Sequence, residues 1–163
     1  MMEAYQVIEE ARRWVGTRYQ HQGRRRAQVP DRGGVDCLGL LIGVAAHLQL
    51  LDKQGHCLEL SDELMYSRVP DGERLRQVLS HLLHEMPASS SPKPANVGLF
   101  AFDGQPQHLG LFGQTFTDEP SHLTLIHAYA PARRVVETQF DATWRARLVT
   151  HFALPDLMNE ANI

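Results

Sequence analysis

Cysteine is scarce in this sequence: Cys37 and Cys57 are the two thiols among 163 residues. Two thiols cannot build a disulfide framework, and their spacing matches no zinc-finger pattern. A charge excess is also lacking. Sixteen Lys plus Arg stand against nineteen Asp plus Glu, a net charge of −3, which excludes the broad electropositive surface that nucleic acid requires. The one basic run, Arg24-Arg25-Arg26, falls in a predicted loop and reads as solvated, with phosphate or an anionic polymer as the other option. Long apolar runs are missing too. The stretch from Leu38 to Leu51 is interrupted by His47 and Gln49, and at about 14 residues it falls short of the ~20 that a membrane span needs. Near the start, Glu3, Glu9, Glu10, Arg12 and Arg13 displace the apolar centre of a secretory signal, so cytoplasmic synthesis with free thiols is expected. At 43% hydrophobic and 21% charged residues, the composition excludes disorder and coiled coil and suits one globular domain.

Periodicity organises the chain into helices followed by strands. Val7, Ile8, Ala11, Trp14 and Val15 recur at helical spacing, and Gly16 closes that segment. A polar, glycine- and proline-containing stretch from Tyr19 to Gly34 reads as a loop long enough to carry function. From Cys37 to Leu51 the apolar character is almost continuous, as in a buried helix, with Gly39 and Gly43 on one face for close packing. A helix is predicted to start at Ser61, and another from Asp71 with a stripe Leu75, Val78, Leu79, Leu82, Leu83 and Met86. His81 and His84, three apart on it, read as a solvated face rather than a metal site. After the punctuation Pro87 to Pro94, strand-like runs follow at Val97–Phe102, His108–Gly113, Thr124–Tyr129, Arg134–Thr138 and Leu148–Leu154. Helices first and strands second argue an α+β domain with an antiparallel sheet. A single domain over residues 1–155 with a frayed tail at 156–163 is the expected organisation.

Cys37 is the residue whose position carries chemistry. It opens the buried helix, where free N–H groups and the positive end of the helix dipole favour a thiolate. Asp36 opposes this if its carboxylate turns toward the sulfur. Nucleophile and small buried hydrophobe both remain open for Cys37 on position alone, whereas Cys57, lacking a helix start, reads as structural. A thiol nucleophile needs a base and the base needs an orienting partner. Among nine histidines, His108 and His127 lie in two strand-like runs that read as neighbours, His108 at the opening of its run on a sheet edge and His127 within its strand. Taken singly, each also fits a structural histidine.

The ordered combination resembles the NlpC/P60 cysteine peptidases, a papain-like group acting on cell-wall peptides, and in particular their phage- and prophage-encoded tail-associated branch. The matching residues are Trp14 to Gly23, then Gly34-Val35-Asp36-Cys37-Leu38-Gly39-Leu40, Asn96 to Phe100, His108-Leu109-Gly110-Leu111, Ile126-His127-Ala128 and Trp144. The resemblance implies an α+β, papain-like fold with N-terminal helices on a C-terminal antiparallel sheet of about five or six strands. It implies Cys37 as nucleophile, His108 as general base and later acid, His127 as the orienting third residue, and Tyr19 as support for the thiolate or oxyanion. Asp36 and Leu38, beside the nucleophile, take the substrate-binding positions. Many members carry a serine where this chain has Leu38 and an aspartate where it has Asn96, and the segment Gln114 to His122 is an insertion expected beside the cleft.

The function so implied is hydrolysis of amide bonds in peptidoglycan stem peptides of the γ-D-glutamyl–diaminopimelate type, without metal or organic cofactor. The partners implied are stem peptides and phage-tail proteins, with no nucleic acid and no membrane span, and the place of action is a virion tail or the wall after release at lysis. Two rivals stay open: a tail-assembly component that keeps the fold for docking, and a zinc site of Cys37, His108 and His127.

Overall fold

The computed structural model describes residues 1–61, 72–115 and 122–158. Helix α1 (Ala4–Arg12) buries Val7, Ile8 and Ala11, the stripe its periodicity predicts. It ends before Trp14, because Gly16, at φ +91°, turns the chain so that its N–H reaches the Val135 carbonyl. Trp14 is still buried, while Val15 is exposed.

The expected loop from Tyr19 to Gly34 is a closed excursion. Strand β1 (Arg24–Arg25) pairs antiparallel with β2 (Gly34–Val35) at its end. Nor is the basic run solvated throughout: Arg24 bonds Asp36 at 3.0 Å, and Arg26 approaches the buried Glu10 carboxylate at 3.7 Å. Helix α2 (Cys37–Leu48) follows and stops at Gln49, which adopts the left-handed conformation. A methyl group on Gly39 would strike the Gly23 carbonyl, and one on Gly43 would strike the Trp14 indole. These two glycines let the excursion and Trp14 press directly onto the helix that carries Cys37.

A 3-10 turn spans Leu58–Ser61; the helix predicted from Ser61 lies otherwise outside the described residues. Helix α3 (Gly72–Leu82) ends sooner than its stripe suggests. His84 and Glu85 form β3 (His84–Glu85), paired with the last strand, β8 (Leu148–Ala153), and Met86 donates to the His151 carbonyl. An unpaired sheet edge thus competes successfully with one more helical turn. Strands β4 (Val97–Phe102), β5 (Gln105–Gln114), β6 (Leu123–Tyr129) and β7 (Arg134–Gln139), the short helix α4 (Ala142–Arg147) and β8 (Leu148–Ala153) complete the chain. The six-stranded antiparallel sheet has the order β3-β8-β4-β5-β6-β7. Past β8 the chain remains tied down as far as it is described: Asp156 accepts the Leu51 N–H at 2.8 Å, and Leu157 packs on the core. Residues 159–163 of the expected tail lie outside the described residues.

Side-chain alternation sorts the strands onto two buried faces. Leu99, Leu109, Leu111, Ile126 and Ala128 meet α1 and α2. Phe100, Phe112, Leu125, Phe140 and Trp144 form a second cluster under α4. Both faces being covered explains the nearly unbroken apolar runs of β4 and β5.

Candidate active site

Asp36 builds the start of α2. Its carboxylate accepts the Gly39 N–H at 2.7 Å, as an N-cap should. It also accepts the Gln22 N–H at 2.8 Å and the Arg24 guanidinium at 3.0 Å. One buried aspartate therefore caps the helix and fastens the 19–34 excursion to it. Leu38 is buried in the main core. Neither side chain of the two expected substrate-binding positions is free of duties inside the fold.

Cys37, half-buried, begins α2 beside that cap. Its thiol faces the backbone N–H groups of Cys37, Leu38 and Leu109, each of which favours the thiolate. Burial opposes them and wins, with the Asp36 charge adding to it, so the thiol is pushed up to about 11. The expectation that the helix start lowers this value is thereby corrected: desolvation outweighs the dipole and N–H groups together. Tyr19 comes to the same place. Burial raises its phenol, and Cys37 and Asp36 add to that shift, which places its ring within electrostatic reach of the sulfur. Its backbone N–H is held by the Arg133 carbonyl at 2.9 Å.

Leu109, whose N–H meets the sulfur, directly follows His108. His108 does not open its strand at a sheet edge as predicted. It lies inside β5, paired with Phe100 of β4, in an interior strand. Pairing with β6 runs from Leu111↔Ile126 to Gln114↔Leu123 and stops short of His108. Across this gap His108 Nε2 and His127 Nδ1 stand 2.8 Å apart, and His127 Nε2 is 3.1 Å from Thr138 Oγ1 on β7. The structure thus sets Tyr19 beside Cys37, with the Leu109 N–H at the sulfur, sets His108 beside His127, and adds Thr138, which no motif singled out. The signal for Thr138 was a register: β7 pairs Val136 with His127, so Thr138 is the next residue on that face.

The histidine pair sits within aromatic walls. Trp144 meets His127 edge-on at 4.8 Å between ring centroids and lies 5.8 Å from His108. Tyr129 stacks on His127 at 5.2 Å. The Arg147 guanidinium covers Phe102 at 4.5 Å and Trp144 at 5.3 Å. Burial, with Arg147 second, pushes His108 down to about 4. Burial, with His108 second, pushes His127 down to about 3. Both rings are therefore neutral at pH 7, the form in which an imidazole can accept a proton.

Depressed imidazoles couple folding to pH. Above pH 6.5 both states carry neutral rings, and the pair imposes no pH dependence. Below it the unfolded chain takes up protons that the folded rings refuse until about pH 4 for His108 and about 3 for His127. Stability is thus expected to fall as pH drops from 6.5 toward 4, by about 3 kcal/mol from His108 alone. Thermal melts across that range check this. A flat Tm, or the same slope in His127→Gln, would refute the assignment of the loss to the pair.

A zinc site of Cys37, His108 and His127 does not fit this geometry. Facing ring nitrogens at 2.8 Å are a hydrogen bond apart, too close for two bonds of about 2.0 Å to a tetrahedral ion between them. Of the insertion from Gln114 to His122, the structure describes only the two ends. Its anchors Gln114 and Leu123 pair at the far ends of β5 and β6, about 20 Å along β5 from His108 at the rise of a strand, where Arg12 bonds the Gln114 carbonyl at 2.7 Å. Residues 116–121 lie outside the described residues. Cys57 is exposed and free, on the turn that pairs it with Leu51.

Comparison with known proteins returns the fold. No family model matches the sequence, and no curated protein does so significantly. Among solved structures, the NlpC/p60 domain of the peptidoglycan hydrolase SagA superposes with a TM-score of 0.56 at 15% identity, over 94% of this chain and all of that one (100%). A protein named Ly7917 also gives 0.56, at 14% identity over 94% of this chain, which spans 63% of Ly7917. An N-acetylmuramoyl-L-alanine amidase from Bacteroides uniformis gives 0.50 at 12% identity, over 91% and 96% of the two chains. The α+β fold with its antiparallel sheet is therefore the NlpC/p60 fold.

Proposed function

We propose that the protein is a cysteine peptidase or amidase that hydrolyses amide bonds in peptidoglycan stem peptides, of the γ-D-glutamyl–diaminopimelate type. The observation that carries this reading is the Cys37 thiol at a helix start, among three backbone N–H groups, one of them from Leu109, which follows the His108 of the His108–His127 pair. The peptidoglycan hydrolase and amidase that share the fold supply the substrate class.

In this reading His108 donates Nε2–H to His127 Nδ1, which leaves His108 Nδ1 to accept the thiol proton. His127 then carries its own proton on Nε2 and donates it to Thr138 Oγ1, so one chain of hydrogen bonds selects both tautomers. The thiolate attacks the amide carbon, and the oxyanion is met by the Cys37 N–H with Tyr19 alongside. Collapse to a thioester expels the amine, which takes its proton from His108. Water, deprotonated by His108, then releases the acid and restores the thiol. Because the resting thiol lies near 11 and His108 near 4, the pair rests neutral, and proton transfer accompanies attack. Asp36 serves by holding the helix start and the excursion in place. Trp144 and its neighbours keep water from the histidine pair.

A docking component of a phage tail is the second reading, favoured by the burial that keeps the thiol protonated. Both readings suit synthesis in the cytoplasm and delivery by a particle or at lysis. Diaminopimelate-containing sacculi and soluble stem peptides, analysed by mass spectrometry, separate the two. New peptides with diaminopimelate at their N-terminus are expected. No product above the background without protein would leave the docking reading.

A further inference from the structure

Outside the site, positive charge gathers in one place on a chain whose net charge is −3. A cavity of about 500 Å³ is lined by Arg18, Arg32, Arg133 and Arg134, with Asp31 as its one carboxylate. Asp31 is engaged by Arg25 at 3.0 Å. Among the described residues no carboxylate pairs with the four lining arginines, and Arg18 has only the Gln20 amide oxygen, at 3.3 Å.

Four like charges without counter-charges repel one another, so something must hold them together. The backbone does. Arg18 and Arg134 form an antiparallel bridge, and the Val135 N–H donates to the Thr17 carbonyl at 2.8 Å. The Thr17 hydroxyl takes the Ala27 N–H at 3.1 Å, which fastens the segment before Arg32. Arg133 is fixed in the left-handed conformation at φ +60°, with its N–H on the Ala130 carbonyl at 2.9 Å. The backbone thus gathers the four arginines before any ligand arrives, and each exposed guanidinium offers a planar donor fork suited to an oxyanion. The cavity also abuts the site: Arg18 precedes Tyr19 in the chain, and Tyr19 is held by Arg133.

We propose that this cavity is an oxyanion-binding exosite that holds the polymer on which the catalytic site acts, through carboxylate or phosphodiester groups of the bacterial wall. The inference rests on the wall as substrate, but binding tests it without turnover. The Cys37→Ala protein is co-sedimented with purified sacculi, alone and with Arg133→Gln/Arg134→Gln added. The double substitution is expected to weaken binding about tenfold at low salt, with the difference shrinking as salt screens the exposed charges. Sacculi stripped of phosphodiester polymers by hydrofluoric acid, and sacculi whose carboxyls have been amidated, distinguish the two sources. Loss of the arginine-dependent component in either arm supports the exosite and names its ligand. Equal binding by both proteins to untreated sacculi overturns it, as does an equal loss from Arg74→Gln/Arg145→Gln, which neutralises exposed arginines of α3 and α4. If the exosite fails while peptides are still released, the catalytic reading stands alone.

Discussion

Replacing Cys37 by alanine is expected to reduce release of stem peptides at least about 10⁴-fold, because no other group can form the thioester. Cys57 cannot substitute for it, being exposed on a separate turn. The fold should survive the change. Only one sulfur is lost from a half-buried position, a truncation expected to cost about 1 kcal/mol, and the Asp36 cap that starts α2 bonds backbone rather than sulfur. His127→Ala should be milder. It removes the partner that orients His108 but leaves the base itself, so kcat falls while KM changes little. The comparison is made by quantifying released amines against wild type at pH 7. Retained activity in Cys37→Ala would sink the nucleophile assignment outright.

The second large effect concerns the resting thiol. With Cys37 pushed up to about 11, its thiolate fraction climbs about tenfold per pH unit, and alkylation by iodoacetamide should accelerate about 1000-fold between pH 7 and pH 10. A preformed thiolate–imidazolium pair would behave otherwise. Its rate would already be near its plateau at pH 7, and it would fall only where acid protonates the sulfur. The measurement is made in a Cys57→Ser background, with the modified peptide identified by mass spectrometry. A flat profile between pH 7 and 10 would show that the helix start and the three N–H groups overcome burial after all. It would also move the mechanism from proton transfer during attack to a stored ion pair. Stem peptide bound at the site should suppress alkylation at every pH.

Particular elements show how far the residues alone could be read. The five long strands were legible because apolar runs between Gly, Pro and Asp leave little choice of backbone, and β4 begins and ends where its pattern says. Helix α2 was legible for the same reason, its apolar residues being continuous from Leu38 to Ala46. The edge strand β3 was not. Its two residues continue a helical stripe, and only β8 lying alongside makes pairing the better use of their backbone groups. The helix α4 escaped notice because six residues make too short a periodic pattern to stand out.

The site divides along the same line. Which residue types could do the chemistry was local information: a cysteine at a helix start after an aspartate that caps it, and histidines in strand-like runs. The sequence by itself determined the fold class, the candidate nucleophile and the two candidate rings, since period and capping act over a few residues. The tertiary structure alone decided how those groups are charged and connected. Burial is a property of the whole packed chain, and it overrides the helix start in setting the Cys37 thiol and holds both rings neutral. The register of β6 against β7 brings Thr138 to His127. The bridge between Arg18 and Arg134 gathers charges that lie more than a hundred residues apart. No local pattern encodes such contacts, because they exist only once distant segments have closed on one another.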